Sequence, residues 1–214
     1  MWLLNAEQIK TIIHQLGLLN LMNKTIQQLR VDYSRFPQFH KSPRHAVHHS
    51  LGVLELMPCA DSSMYSFKYV NGHPNNTSLD KLCVAAFGML AKQEDGYPLL
   101  LCDMTWLTAI RTAATAALIV DLAQPSKHDN CIGLIGTGAQ AEFMLLAISQ
   151  IWPVKTCYFT DIDSKAMQKF KTNMQHLPIN LIATEDRQTV CYNADVLVTL
   201  TAAKQAADLV DFDW

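Results

Sequence analysis

Gly136, Gly138 and Ala141 stand in G-x-G-x-x-A spacing directly after a short apolar run that contains Ile132, Leu134 and Ile135. A strand that turns sharply into a helix gathers backbone N–H groups and a helix N-terminus at one point, where a pyrophosphate is the anion usually held. Asp161 ends the next strand-like run, Cys157-Tyr158-Phe159, near the spacing of about 20 residues expected for an acid that takes a ribose hydroxyl. Alone, the glycines also fit a purely structural turn; with Asp161 they point to a dinucleotide. An acid rather than an arginine there favours NAD over NADP, whose extra phosphate it would repel.

Cations and histidines are the other residues with chemical capacity. Lys68 emerges from the strand-like Ser66-Phe67-Lys68-Tyr69-Val70, where a surface lysine is the plain alternative. In Arg111-Thr112-Ala113-Ala114 small residues permit close helix packing beside a long cation, which a solvated charge or an ion pair would also explain. His45, His48 and His49 resemble a metal cluster only superficially. On a regular strand His45 and His48 face opposite ways, and no remote ligands complete a set, so no metal site is expected. The six cysteines contain no C-x-x-C pair and read as buried or partly buried thiols.

The elements that must position these groups fall into two halves. Asn5 caps a first helix, with Gln8 returning the capping-box contact and Ile9, Ile12, Ile13 and Leu16 along one face. Gly17 interrupts it, and Leu19, Met22, Ile26 and Leu29 mark a second. Strands are expected over Arg44 to His49, Val53 to Met57, Tyr65 to Val70, Leu82 to Leu90 and Tyr97 to Cys102, with Pro58 separating the second from the third. They fit a mostly antiparallel sheet. Thr105 is the expected cap of the next helix, and a domain boundary is placed near residue 125. Beyond it, strands and helices alternate: a helix over Phe143 to Ile151, a strand over Thr156 to Phe159, a helix from Asp163 or Ser164 to Met174, then strands over Ile179 to Ala183 and Asp195 to Thr201. That order predicts a doubly wound fold. The fold class is therefore α/β: a strand-rich α+β domain over 1–125, then an incomplete Rossmann-like dinucleotide-binding domain over 126–214.

A formal charge of -2 across 214 residues, with no basic tract, gives no footprint for nucleic acid. Met1-Trp2-Leu3-Leu4-Asn5 has no basic signal region, and the apolar stretches read as too short to span a bilayer. A cytoplasmic protein with no membrane partner is expected.

Over nearly its whole length the chain resembles the ornithine cyclodeaminase and mu-crystallin family. The residues that carry the likeness are Ser42-Pro43-Arg44, Leu56-Met57-Pro58, Phe67-Lys68-Tyr69, Leu107-Thr108-Ala109-Ile110-Arg111-Thr112-Ala113-Ala114 and Gly133-Leu134-Ile135-Gly136-Thr137-Gly138-Ala139-Gln140-Ala141. The resemblance implies that Arg44, Lys68 and Arg111 receive an amino-acid carboxylate, with Lys68 assisting proton transfer and Glu55 as a second acid–base candidate. It also implies that Arg111, Thr112, Gly136, Thr137, Gly138, Ala139, Gln140, Asp161 and Thr201 contact the NAD cofactor, with Cys83 where the family often has a threonine near it. The implied reaction passes a hydride from the α-carbon of ornithine to NAD, giving an imine. The distal amine attacks, ammonia leaves, and hydride return yields proline.

The family's catalytic aspartate belongs to a segment beyond Trp214, so the resemblance implies a C-terminally truncated member. Alternatives are a cyclic imino-acid (pyrroline-carboxylate) reductase, an amino-acid dehydrogenase, or a noncatalytic mu-crystallin-like binding protein or inactive fragment. A homodimer through the first domain is the partner implied.

Overall fold

The computed structural model describes residues 1–123, 129–201 and 210. Contacts divide the chain into two compact units, Met1–Ala109 and Ile110–Trp214. This division falls inside a long helix; the expected boundary near residue 125 lies outside the described residues.

The first unit opens with β1 (Trp2–Leu4), α1 (Ala6–Leu16) and α2 (Leu18–Ser34). The capping box is present: Asn5 accepts from the Gln8 N–H and the Gln8 side chain accepts from the Asn5 N–H, each at 2.9 Å. Gly17, at φ +77°, breaks α1 from α2 in a conformation few other residues hold cheaply. The buried residues of the two helices are Ile9, Ile13, Met22 and Ile26, the inner positions of the two apolar stripes.

Six further strands follow: β2 (His40–Lys41), β3 (His45–His49), β4 (Gly52–Ala60), β5 (Met64–Gly72), β6 (Ala86–Lys92) and β7 (Pro98–Asp103). They form one sheet in the order β1-β7-β6-β5-β4-β2, with β3 also on β4. Every pairing is antiparallel except β1 on β7.

Four expectations need correcting. Pro58 lies inside β4, opposite Phe67, where the ladder on the other side breaks between Leu56 and Cys59 and a missing N–H costs least. The strand expected from Leu82 begins only at Ala86, because Pro74–Leu79 forms a 3-10 turn and the chain after it is irregular. Thr105 is the first residue of α3 (Thr105–Ala123), not its cap. Its N–H donates to Asp103 Oδ1 at 3.0 Å and its hydroxyl oxygen accepts from the Ala86 N–H at 3.0 Å, tying the helix start to β6 and β7. This helix is also long and apolar enough, by length and composition alone, to cross a bilayer, which no stretch was expected to be. Ile110, Ala113, Ala114, Ala117, Leu118 and Val120 are nevertheless buried in the protein, whereas Ile119 and Leu122 are exposed.

In the second unit β8 (Cys131–Ile135), α4 (Ala139–Ser149), β9 (Thr156–Thr160), α5 (Ser164–Met174), β10 (Asn180–Ala183), α6 (Arg187–Asn193) and β11 (Val196–Thr199) alternate. The four strands are parallel in the order β10-β9-β8-β11. This is the 3-2-1-4 order of a mononucleotide-binding half, and it reverses between β8 and β11. Phe159 and Phe170 are fully buried, with ring centroids 5.0 Å apart. Gly133 admits no larger residue, since a Cβ there would sit 2.8 Å from both Val190 and Ala194.

Candidate functional site: a glycine turn and a charged sheet face

At the C-terminal end of β8 the chain must clear the neighbouring strand before entering α4. Gly136 does this at φ +103°, and a Cβ there would meet the Leu200 carbonyl carbon at 2.9 Å and its oxygen at 3.0 Å. The turn is pinned on both sides: the Gly136 N–H donates to the Thr160 carbonyl at 2.8 Å, and the Leu200 N–H to that of Ile135 at 2.7 Å. Gly138 is a different case. It has an ordinary φ of -64°, it precedes the first turn of α4, and a Cβ on it would meet nothing within 4 Å. Space, not strain, is what its missing side chain provides.

Asp161 closes this turn from β9. Its Oδ2 accepts from the Thr137 N–H at 2.6 Å and from the Thr137 hydroxyl at 3.1 Å, while Oδ1 accepts from the Asp163 N–H at 3.0 Å. Exposed Ala139, half-buried Gln140 and, after β11, exposed Thr201 complete the residues expected here. The switch point between β8 and β11, the open face at Gly138 and the first turn of α4 with its N–H groups fit a dinucleotide pyrophosphate. Sequence reasoning missed Ile162. It is wholly exposed next to Asp161, and an apolar side chain held in water beside a ribose-type acid suits the face of a flat base. The signal was available, as an isoleucine between two aspartates just past a strand.

In the first unit the strand registers bring three expected residues to one face of the sheet. Lys68 on β5 lies opposite Met57 on β4 and Gly88 on β6, and Glu55 lies two residues from Met57 on the same face. Arg44, just before β3, donates from Nη1 to Glu55 Oε1 at 2.8 Å. Glu55 is thus the ion-pair partner of Arg44. With the Arg44 side chain 58% exposed, the pair contributes little to stability, about 0.2–1 kcal/mol. Its value is orientation: Glu55 engages one nitrogen of a five-donor fork that can take a carboxylate on another edge. A Cβ on Gly88 would run into the Met104 thioether, so that glycine keeps the space beside Lys68 for Met104.

Arg111 and Thr112 belong to the second unit, on α3, with Arg111 exposed and Thr112 half-buried. Half-buried Cys83 donates to the Pro74 carbonyl at 3.3 Å. Among the described residues no group of three or more His, Cys, Asp or Glu is placed to hold a metal ion. His49 instead packs its ring 5.1 Å from that of His73.

Known proteins resemble this chain in sequence and in fold. An ornithine cyclodeaminase of Agrobacterium tumefaciens (strain Ach5) is 38% identical over 208 residues, which is 97% of this chain and 58% of the relative. A solved lysine cyclodeaminase, described for its recognition of L-lysine, L-ornithine and L-2,4-diaminobutyric acid, superposes with TM-score 0.87 at 25% identity. It is matched over 95% of this chain and 61% of its own. An archaeal alanine dehydrogenase dimer with bound NAD superposes with TM-score 0.78 at 25% identity, again over 95% of this chain and 61% of its own. The chain thus spans less than two thirds of the length of these relatives. The family model for ornithine cyclodeaminase and mu-crystallin matches residues 7–214, and the chain belongs to that family.

Proposed function

We propose that this chain carries the NAD-binding and carboxylate-binding parts of an ornithine cyclodeaminase, which converts L-ornithine to L-proline and ammonia. One observation carries the reading: the first unit has a cationic sheet face at Arg44 and Lys68 and the second an open glycine turn at Gly138, in a sequence matched nearly end to end by a protein of that activity.

When bound, NAD supplies reversible two-electron redox chemistry at the α-carbon of the substrate. The chain's own residues do the rest by binding and orientation. Arg44, held by Glu55, receives the substrate carboxylate; Lys68 adds a second positive charge on the same face and is the group that would move a proton at the α-nitrogen. Each charge-assisted contact is worth roughly 1.5–3 kcal/mol before desolvation. Arg111 and Thr112 keep the carboxylate and phosphate roles that the family pattern gives them. Gly136, Gly138, Ala139 and Gln140 would hold the pyrophosphate and Asp161 the ribose, with Thr201 as a further cofactor contact. The six free cysteines fit a cytoplasmic setting.

Calorimetric titration of the purified, folded chain with NAD, followed by assay of ornithine for ammonia and proline, tests this reading. Saturable NAD binding supports the cofactor half, and proline with ammonia supports the reaction. A folded sample that takes up no NAD rejects the proposal. A dehydrogenase reading, favoured by the likeness to the alanine dehydrogenase, shares the same residues but predicts NAD reduction with a simple amino acid and no proline.

The opposite face of the first sheet supports a homodimer. Phe87 stacks on Tyr69 at 5.1 Å and meets Phe67 edge-on at 6.4 Å, yet Phe87 is 44% exposed, with Val47 and Leu56 also exposed. A second copy covering this aromatic face would remove a patch that monomers rarely leave in water. Sedimentation measures the state directly, and a monomer at micromolar concentration rejects it.

A further inference from the structure

Thr137 sits between the two glycines of the turn, where a side chain would be expected to face the ligand. It does not behave as a contact residue. Only 2% of it is exposed, and its N–H and hydroxyl both donate to a single atom, Asp161 Oδ2. A carboxylate oxygen offers about two lone-pair sites, so Oδ2 is saturated by Thr137 alone. Oδ1 already accepts the Asp163 N–H. One acceptor site on Asp161 therefore remains for a ligand, on Oδ1.

We infer that Thr137 is a positioning residue that restricts Asp161 to one hydroxyl of the adenosine ribose, so that the acid binds the sugar through one oxygen and not as a two-pronged acceptor. This inference rests on the NAD reading above. The saturated oxygen is turned into the glycine turn, and the carboxylate can neither rotate nor offer Oδ2 without leaving the Thr137 N–H unpartnered. Ribose recognition is then coupled to the shape of the pyrophosphate turn: one aspartate closes the loop and reads the sugar with different oxygens.

The test uses NAD and its two adenosine-ribose deoxy analogues, lacking the 2′ or the 3′ hydroxyl, titrated into the full chain and into Thr137→Val and Thr137→Ser. Circular dichroism and thermal melting of each variant confirm folding. In the wild type, loss of one hydroxyl should weaken binding on the order of tenfold, the size of one hydrogen bond to a charged group, and loss of the other by no more than about twofold. Thr137→Val keeps the side-chain shape but loses the hydroxyl donor. It frees one Oδ2 acceptor for the second ribose hydroxyl, so it should shrink the difference between the two analogues without weakening NAD, while Thr137→Ser restores the difference. A purely structural role would weaken all three ligands equally and leave that difference intact, which overturns the inference. Equal losses for the two analogues in the wild type overturn it as well, with NAD binding itself untouched. Absence of NAD binding by folded wild type instead removes the cofactor reading and this inference with it.

Discussion

β3 and β8 are both five-residue strands, yet every residue of β8 is buried while none of β3 is. β8 lies inside a parallel sheet, with β9 on one side and β11 on the other, and its side chains Ile132 and Leu134 are wholly enclosed. β3 pairs only with β4, in a sheet whose faces carry different chemistry. The contrast teaches where each unit carries its candidate groups. In the second, buried strands aim a backbone turn and the candidates lie at strand ends; in the first, charged side chains lie on the surface of the sheet itself.

The sharpest way to break this comparison is to remove equivalent aromatic groups. Phe159→Ala in the buried layer should cost about 3–5 kcal/mol, whereas Phe87→Ala on the half-open face should cost clearly less. Urea unfolding of the two variants checks this, and equal losses would mean that the faces are not different in kind.

The glycine turn comes next in size. Gly136→Ala must hold φ near +103° and press a Cβ against Leu200, so we expect a loss of about 2–3 kcal/mol together with NAD binding. Gly138→Ala should leave stability within about 0.5 kcal/mol but weaken NAD, because its Cβ would occupy open space that the pyrophosphate needs. Melting curves and NAD titration separate the two effects. A Gly138→Ala variant with wild-type affinity would remove that glycine from the site.

On the charged face, Arg44→Ala should move the melting temperature little and weaken substrate binding on the order of tenfold or more. Affinity for ornithine, measured with NAD present, decides this; unchanged affinity would make the Arg44–Glu55 pair structural. The smallest effect concerns Asp61, at the β4–β5 turn. The Ser63 and Met64 backbone N–H groups, the Ser63 hydroxyl and the nearby Arg35 hold its carboxyl down to about 2. Because the folded value lies below the unfolded one, this stabilisation is complete above pH about 4 and is lost as pH falls towards 2. The gap in urea midpoint between wild type and Asp61→Asn should therefore be constant above pH about 4 and close below it.

Legibility followed the range of the interactions. The α1 capping box, the Gly17 break and the G-x-G-x-x-A turn are written in residues a few positions apart, and each forms as its local pattern expects. β1 was not legible: three residues have no periodicity of their own, and Trp2–Leu4 becomes a strand only because β7 offers an edge. Pro58 misled for the same reason, since a proline reads as a break until the partner strands reveal a gap in the ladder.

The sequence by itself determined the alternation of strands and helices after Cys131 and the candidate Asp161, because these depend on residue type and local spacing, and its motifs carried the family likeness that singles out Arg44, Lys68 and Arg111. Only the tertiary structure decided that Glu55 holds Arg44, that Gly136 is fixed by close backbone approach while Gly138 opens space, and that Thr137 saturates one oxygen of Asp161. Those outcomes depend on which strand lies beside which, and strand pairing across tens of residues leaves no mark in local pattern.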